Sequence, residues 1–181
     1  MKMLDTDIAG VKIVEPVVHG DSRGFFLESF NEHSFCEQLG RKVHFVQDNH
    51  SRSEGGVLRG LHYQINRAQA KLVRVVQCEI FDVAVDIRES SPTFGKWIGV
   101  HLSAGNFRQL WLDEGLAHGF LVLSDVAEVL YKTTDYYSPS DERCIIWNDA
   151  ELAIDWPLDG EPALSDRDRQ GLRFKDAEFF P

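Results

Sequence analysis

Three residues in one short stretch carry chemistry: Arg59, His62 and Lys71. The stretch reads Gly55-Gly56-Val57-Leu58-Arg59-Gly60-Leu61-His62-Tyr63-Gln64 and reaches Lys71 after a turn. Histidine exchanges protons near neutral pH, its ordinary pKa being about 6.5. A lysine beside it stabilises negative charge that develops on oxygen. The set suits proton transfer at a centre where an oxyanion forms. Geometry imposes a condition, because Arg59 and His62 are an odd number of positions apart. A regular strand points them to opposite faces. A bulge at Gly60 turns both inward; in a regular strand, one of them leaves the pocket.

The elements that must hold these residues read as strands. Phe81, Val83, Val85 and Ile87 alternate with Asp82, Ala84 and Asp86, the period of a half-buried strand. Lys71, Val73 and Val75 alternate with Leu72, Arg74 and Val76. Further strands are expected at Lys12 to Val18, Gly24 to Ser29, Val43 to Asn49, Val57 to Gln64, Trp97 to Leu102, Gln109 to Leu112, Gly119 to Leu123, Ala127 to Thr134 and Cys144 to Ile146. Frequent turns between them suggest an all-β sandwich or barrel. A helix is expected over residues 32 to 39, capped by Asn31 and ended by Gly40. Ser165 can cap a short helix beginning Asp166-Arg167-Asp168. The loop-rich tail needs to bury Trp156, Leu164 and Phe174, so it is expected to pack on the strands.

With 181 residues, 43% hydrophobic and 27% charged, the chain has the composition of one globular domain over 1–181. Met1 to Val14 lacks a basic end followed by a long apolar run, so no signal peptide is expected. No stretch nears the roughly 20 apolar residues of a membrane span. The expected location is the cytoplasm, with no membrane partner. A net charge of −10 and the lack of a Lys/Arg run speak against nucleic acid. Cys36, Cys78 and Cys144 are far apart and form no Cys-x-x-Cys pair, so they read as reduced thiols.

A histidine in a Gly-rich strand of such a barrel resembles the cupin fold. Metal cupins carry two histidines one residue apart, a following carboxylate and a later histidine. Here Gln64 stands two positions after His62, His118 is the candidate later histidine, and Lys71 adds a positive charge. No carboxylate lies between Gln64 and Lys71. That donor set is poor for a divalent metal, and none is expected.

Many blocks together closely resemble the dTDP-4-dehydrorhamnose 3,5-epimerase family. They are Phe45-Val46-Gln47-Asp48-Asn49-His50-Ser51, Val57 to Gln64, Lys71-Leu72-Val73-Arg74, Phe81 to Asp86, Ser91-Pro92-Thr93-Phe94-Gly95, Ala117-His118-Gly119-Phe120 and Tyr131-Lys132-Thr133. Asp21-Ser22-Arg23-Gly24-Phe25-Phe26 and Leu164-Ser165-Asp166-Arg167-Asp168 fit its two ends. The likeness covers nearly the whole chain in order; any one block alone is a weak signal.

The resemblance implies a cupin-like jelly-roll β-barrel with a few short peripheral helices, no cofactor, and a homodimer with an exchanged N-terminal segment. It implies epimerisation of a dTDP-4-keto-6-deoxy sugar on the route to dTDP-L-rhamnose. By position, His62 resembles the general base, oriented by Asp168. Tyr131 resembles the acid on the opposite face, and Lys71 the group that steadies the enolate oxygen. Arg23, Glu28, Gln47, Asp48, Asn49, Arg59, His118 and Glu142 resemble ligand contacts, and Tyr137 the ring that stacks on thymine. Arg167 stands where the family usually has lysine; the charge is kept, but the two differ toward phosphate. The hairpin before Lys71 is also slightly shorter than in some relatives.

Each residue has a plainer reading. Asp168 completes a capping box with Ser165, Tyr131 packs in the core, and Lys71 is a solvated edge charge. His44, His50 and His101 read as structural. Four other functions compete: an epimerase acting at C3 or C5 only, a keto-isomerase of the same barrel, a non-catalytic sugar-nucleotide binding module, and a metal-dependent cupin oxygenase. The first differs only in pocket shape. The next two need no opposed base and acid, and the last is disfavoured by Gln64 and Lys71.

Overall fold

The computed structural model describes residues 1–181. Six strands form one antiparallel sheet: β1 (Lys2–Asp5), β2 (Val11–Glu15), β5 (Gln47–Glu54), β7 (Lys71–Gln77), β10 (Gln109–Leu112) and β12 (Val126–Thr133). Their order across it is β1-β2-β10-β7-β12-β5. Five more form a second sheet: β6 (Leu58–Gln64), β8 (Glu79–Asp86), β9 (Trp97–Ser103), β11 (Leu116–Val122) and β13 (Glu142–Cys144), in the order β13-β6-β11-β8-β9. A separate hairpin joins β3 (Val18–Asp21) to β4 (Gly24–Leu27).

The expected closed barrel is corrected. The two sheets are open, and no edge strand of one pairs with an edge of the other. They lie face to face as a sandwich, sharing a core of Val73, Val75, Leu110 and Leu112 from one sheet with Ile80, Leu102, Phe120 and Val122 from the other. Strand alternation and turn spacing are the same for a sandwich and a barrel, so the sequence pattern does not report whether the edges close.

The Lys12 to Val18 expectation splits in two: β2 ends at Glu15, before Pro16, which cannot donate to a ladder, and β3 begins at Val18. Val43 to Val46 is not strand. Val43 and Phe45 instead pack with Phe35 and Trp111, while β5 starts at Gln47, opposite Thr133 of β12. The helix forms as expected: α1 (Glu32–Leu39) has Asn31 Oδ1 accepting from the Ser34 N–H and ends at Gly40 with φ +78°.

β8 departs furthest from its pattern. It is buried along almost its whole length, not on one face. Phe81, Val83 and Val85 pack beneath the tail residues Leu152, Trp156 and Phe174. The other face, with Ile80 and Ala84, looks between the sheets and carries Asp82, which is 0% exposed. Asp86, equally buried, is satisfied by Arg88, Ser91 and Thr93. No helix is long and apolar enough to cross a membrane.

Candidate active site

The site lies between the sheets, where polar side chains replace the apolar core. A cavity of about 280 Å³ is lined by Arg59, His62, His118 and Glu142 from the five-stranded sheet and by Lys71, Tyr131 and Ser51 from the six-stranded one. Tyr137 and Arg167 complete the rim. Eight of the residues expected from sequence thus meet around one space, and Asp168 stands directly behind His62.

The Gly60 condition is met. On β11, His118 opposes His62 while Phe120 opposes Arg59, so β6 spends one more residue than its partner over this interval. This bulge places Arg59 and His62 on the same cavity despite their odd separation. It depends on glycine. Gly60 has φ +110°, and a Cβ there would sit 2.6 Å from the Cα of Gly119 and from the His118 carbonyl oxygen.

His62 Nε2 lies 2.6 Å from Asp168 Oδ1. Asp168 is 2% exposed and also accepts from the Ser165 hydroxyl at 2.6 Å and the Gly60 N–H at 3.2 Å. Burial pushes its carboxyl up, but the bonds from His62, Ser165 and Gly60 outweigh this and hold it below the usual range. An ionised Asp168 accepts the Nε2 proton and so fixes the orientation and tautomer of the imidazole, with Nδ1 left for a ligand. The capping reading also holds: α2 (Asp166–Arg169) has Ser165 as its cap, accepting from the Asp168 N–H. One short helix therefore both ends a loop and aims a carboxylate.

Lys71 is 9% exposed and is not the solvated edge charge of the plainer reading. Burial lowers its ammonium to about 8, against the opposing pull of Asp82 and Glu142. Tyr131 is also held by burial: its phenol is pushed above the ordinary value despite Arg59, with Glu142 and Tyr137 adding to the rise. It keeps its proton at neutral pH. His62 and Tyr131 belong to different sheets, so an imidazole and a phenol face each other across the cavity.

Two functional neighbours were missed. Asp82 receives His118 Nε2 at 2.9 and 3.1 Å on its two oxygens and fixes that ring. Ser53 accepts from Arg59 Nε at 3.0 Å. Asp82 sits in an alternating strand whose polar positions read as solvent-facing; only the site on the inner face explains it. At the rim, Tyr137 donates to Glu142 at 2.7 Å and Arg167 pairs with the same carboxylate oxygen at 2.5 Å.

The remaining expected contacts lie outside the cavity. Gln47 and Asn49 share the inward face of β5; the Gln47 amide donates to Asn49 and its Oε1 accepts from the Tyr137 N–H. Asp48 points the other way and pairs with Lys132. Glu28 bonds Asn31. Arg23 sits on the exposed β3–β4 hairpin, paired with Asp21.

A carboxylate-backed imidazole, a protonated phenol opposite and a buried ammonium between two sheets define an isomerase that moves protons beside a carbonyl. The family model for dTDP-4-dehydrorhamnose 3,5-epimerase matches residues 5–176. The chain is 61% identical to the dTDP-4-dehydrorhamnose 3,5-epimerase of Pseudomonas aeruginosa over 181 residues, all of both chains. It is also 61% identical to that of Shigella flexneri, over 99% of each. Among solved structures it resembles the dTDP-6-deoxy-D-glucose-3,5-epimerase of Legionella pneumophila in complex with dTDP-4-keto-L-rhamnose. The TM-score there is 0.95 at 52% identity, covering 98% of this chain and 94% of that one. The chain belongs to the dTDP-4-dehydrorhamnose 3,5-epimerase family.

Proposed function

We propose that the protein inverts C3 and C5 of dTDP-4-keto-6-deoxy-D-glucose to give dTDP-4-keto-L-rhamnose. The observation that carries this is the placement of His62 and Tyr131 on facing sheets of one cavity, with Lys71 beside Tyr131 on the strand next to it. The C4 ketone acidifies the hydrogens on both neighbouring carbons. His62, backed by Asp168, takes a proton from one face. The charge moves to the C4 oxygen, where the Lys71 ammonium stabilises the enolate. Tyr131 returns a proton from the other face and inverts the centre; His62 then loses its proton to solvent and Tyr131 regains one, and the second carbon follows the same course. Acid–base help of this kind contributes roughly 10²–10⁴-fold, and each oxyanion donor about 10²–10³-fold. Protons leave and return, and no electrons are exchanged, so the reaction balances without a redox cofactor.

At the rim, Arg59, Arg167 and His118 bind the diphosphate, and Tyr137 stacks on the thymine; the nucleotide takes Arg167 from its pairing with Glu142. Arg23 and Glu28 act in a neighbour's cavity, carried there by the β3–β4 hairpin of a homodimer. The exposure of Phe25 and Phe26, 64% and 71%, supports a second copy covering that hairpin.

The test is incubation with dTDP-4-keto-6-deoxy-D-glucose in D₂O, with deuterium followed at each carbon by NMR. Deuterium is expected at C3 and C5, lost in His62→Ala and without net inversion in Tyr131→Phe. Labelling of one carbon alone makes the protein a single-centre epimerase. Tight binding without exchange makes it a binding module.

A further inference from the structure

Cys144 has no role in the reaction above, yet its thiol stands beside the dyad. Cys144 opposes His62 in the β13–β6 ladder. Its Sγ, a His62 ring nitrogen and an Asp168 carboxylate oxygen all lie within 4.8 Å of one another. Imidazole, thiolate and carboxylate together make a donor set that zinc and cadmium favour. With bonds of about 2.0–2.3 Å, donors of a tetrahedral site stand about 3.3–3.8 Å apart. Reaching that spacing parts His62 Nε2 from Asp168 Oδ1, now 2.6 Å apart, and draws the Cys144 sulfur inward, with side-chain shifts on the order of 1 Å. The outer support is already in place, since the Ser165 hydroxyl and Gly60 N–H hold Asp168. An entry path exists as well, because His62 opens onto the cavity.

Two carboxylates, Asp168 and Glu142, act on the Cys144 thiol, with the Arg167 guanidinium opposing them. Burial first, and then the negative charge of Asp168 and Glu142, push the thiol up to about 12. Alone, Cys144 stays protonated. A dication reverses the balance, because the carboxylates that repel a thiolate attract the metal.

We propose that His62, Cys144 and Asp168 form an inhibitory site for soft divalent cations of the zinc and cadmium class, which binds by capturing the catalytic base. On binding, the Cys144 S–H bond breaks, its proton goes to solvent, and the sulfur electron pair forms the metal bond. The His62 ring proton moves from Nε2, where Asp168 accepts it, to Nδ1, and the freed Nε2 lone pair forms the second metal bond. Water fills the fourth position, and nothing is oxidised or reduced. The metal–thiolate bond stands independently of the proposed reaction; only the inhibition rests on the role of His62.

The experiment titrates cadmium into the wild-type protein, Cys78→Ser and Cys144→Ser in thiol-free buffer, following the ultraviolet sulfur-to-cadmium charge-transfer band. Cys78 is included because it is exposed. The band is expected to persist in Cys78→Ser and to be lost in Cys144→Ser. In parallel, zinc inhibits turnover of the wild type, and Cys144→Ser raises the half-inhibiting concentration at least about tenfold while turning over without metal. Thermal melting checks that Cys144→Ser folds, and Cys144→Val replaces it if it does not. A band or a zinc sensitivity unchanged by loss of Cys144 overturns the site, as does a wild type indifferent to millimolar zinc. A wild type inactive without metal sinks the proposed reaction instead and leaves the cadmium band to decide the site.

Discussion

Burial lowers the Lys71 ammonium to about 8, so the enolate oxygen that we propose it steadies loses this positive charge as the pH rises through that value. Tyr131, whose phenol lies above its ordinary value, is still protonated there and does not share the transition. The rate is therefore expected to fall on an alkaline limb near pH 8, read from kcat/KM against pH, which reports the free enzyme. Asp82 and Glu142 are the charges that favour the ammonium. Asp82→Asn removes one of them, so the limb moves to lower pH; a limb that stays put denies Asp82 this role. Stability runs the other way. The folded pKa lies below the unfolded value of 10.5, so the penalty of burying the charge is full below about pH 8 and fades as pH rises toward 10.5. Lys71→Met should thus raise stability, by roughly 1–3 kcal/mol at neutral pH in urea unfolding, while lowering activity. At this scale the types of His62 and Lys71 were legible from their chemistry, and Tyr131 and Asp168 from the family's blocks. Asp82 was not: an aspartate every second residue reads as a wetted face, and only the second sheet reveals that this face is inside.

Single strands and short helices set the angles at which these groups meet. The β6 bulge is the most exacting, because it brings the backbone of Gly60 against that of Gly119. Gly60→Ala puts a methyl group where backbone already lies and demands a positive φ from an L-residue. The expected result is a loss of at least about 2 kcal/mol in urea unfolding and of His62-dependent deuterium exchange in the folded fraction. Exchange at the wild-type rate would mean that the bulge does not aim His62. The sequence pointed to this feature through a parity conflict that a glycine could relieve. It pointed equally to α1, where Asn31 and Gly40 mark both ends, and to the cap at Ser165. It said nothing of edge closure, since an open sheet and a closed one use the same alternation, and β8, buried on both faces, has no wet side for its alternation to mark.

The whole molecule combines a net charge of −10 with a cavity that gathers Arg59, Lys71, His118 and Arg167 for an anionic ligand. Carboxylates stand among them, Glu142 on the cavity and Asp82 and Asp168 buried behind His118 and His62, a placement no composition reveals. The fold also leaves Val17, Val18, Phe25 and Phe26 in the open. Replacing both phenylalanines with serine is expected to give a monomer in light scattering and to weaken binding of the dTDP-sugar. Arg23→Ala should leave the dimer intact and raise KM alone. A wild-type monomer at working concentration would count against the exchanged hairpin.

Asp168 arrives from the far end of the chain, more than a hundred positions after His62, on a tail seated by Trp156 and Phe174. The two sheets are complete by Cys144, so the scaffold precedes the carboxylate that bonds His62. Opening of the tail disconnects the dyad and breaks the isolated bridges Val57–Ala163, Arg88–Phe180 and Ile145–Leu172, while the ladders between the numbered strands keep their partners. Turnover is in this sense a gauge of tail docking. Proteolytic nicking between Asp155 and Glu161 would silence the protein while its strand content, seen by circular dichroism, stayed in place.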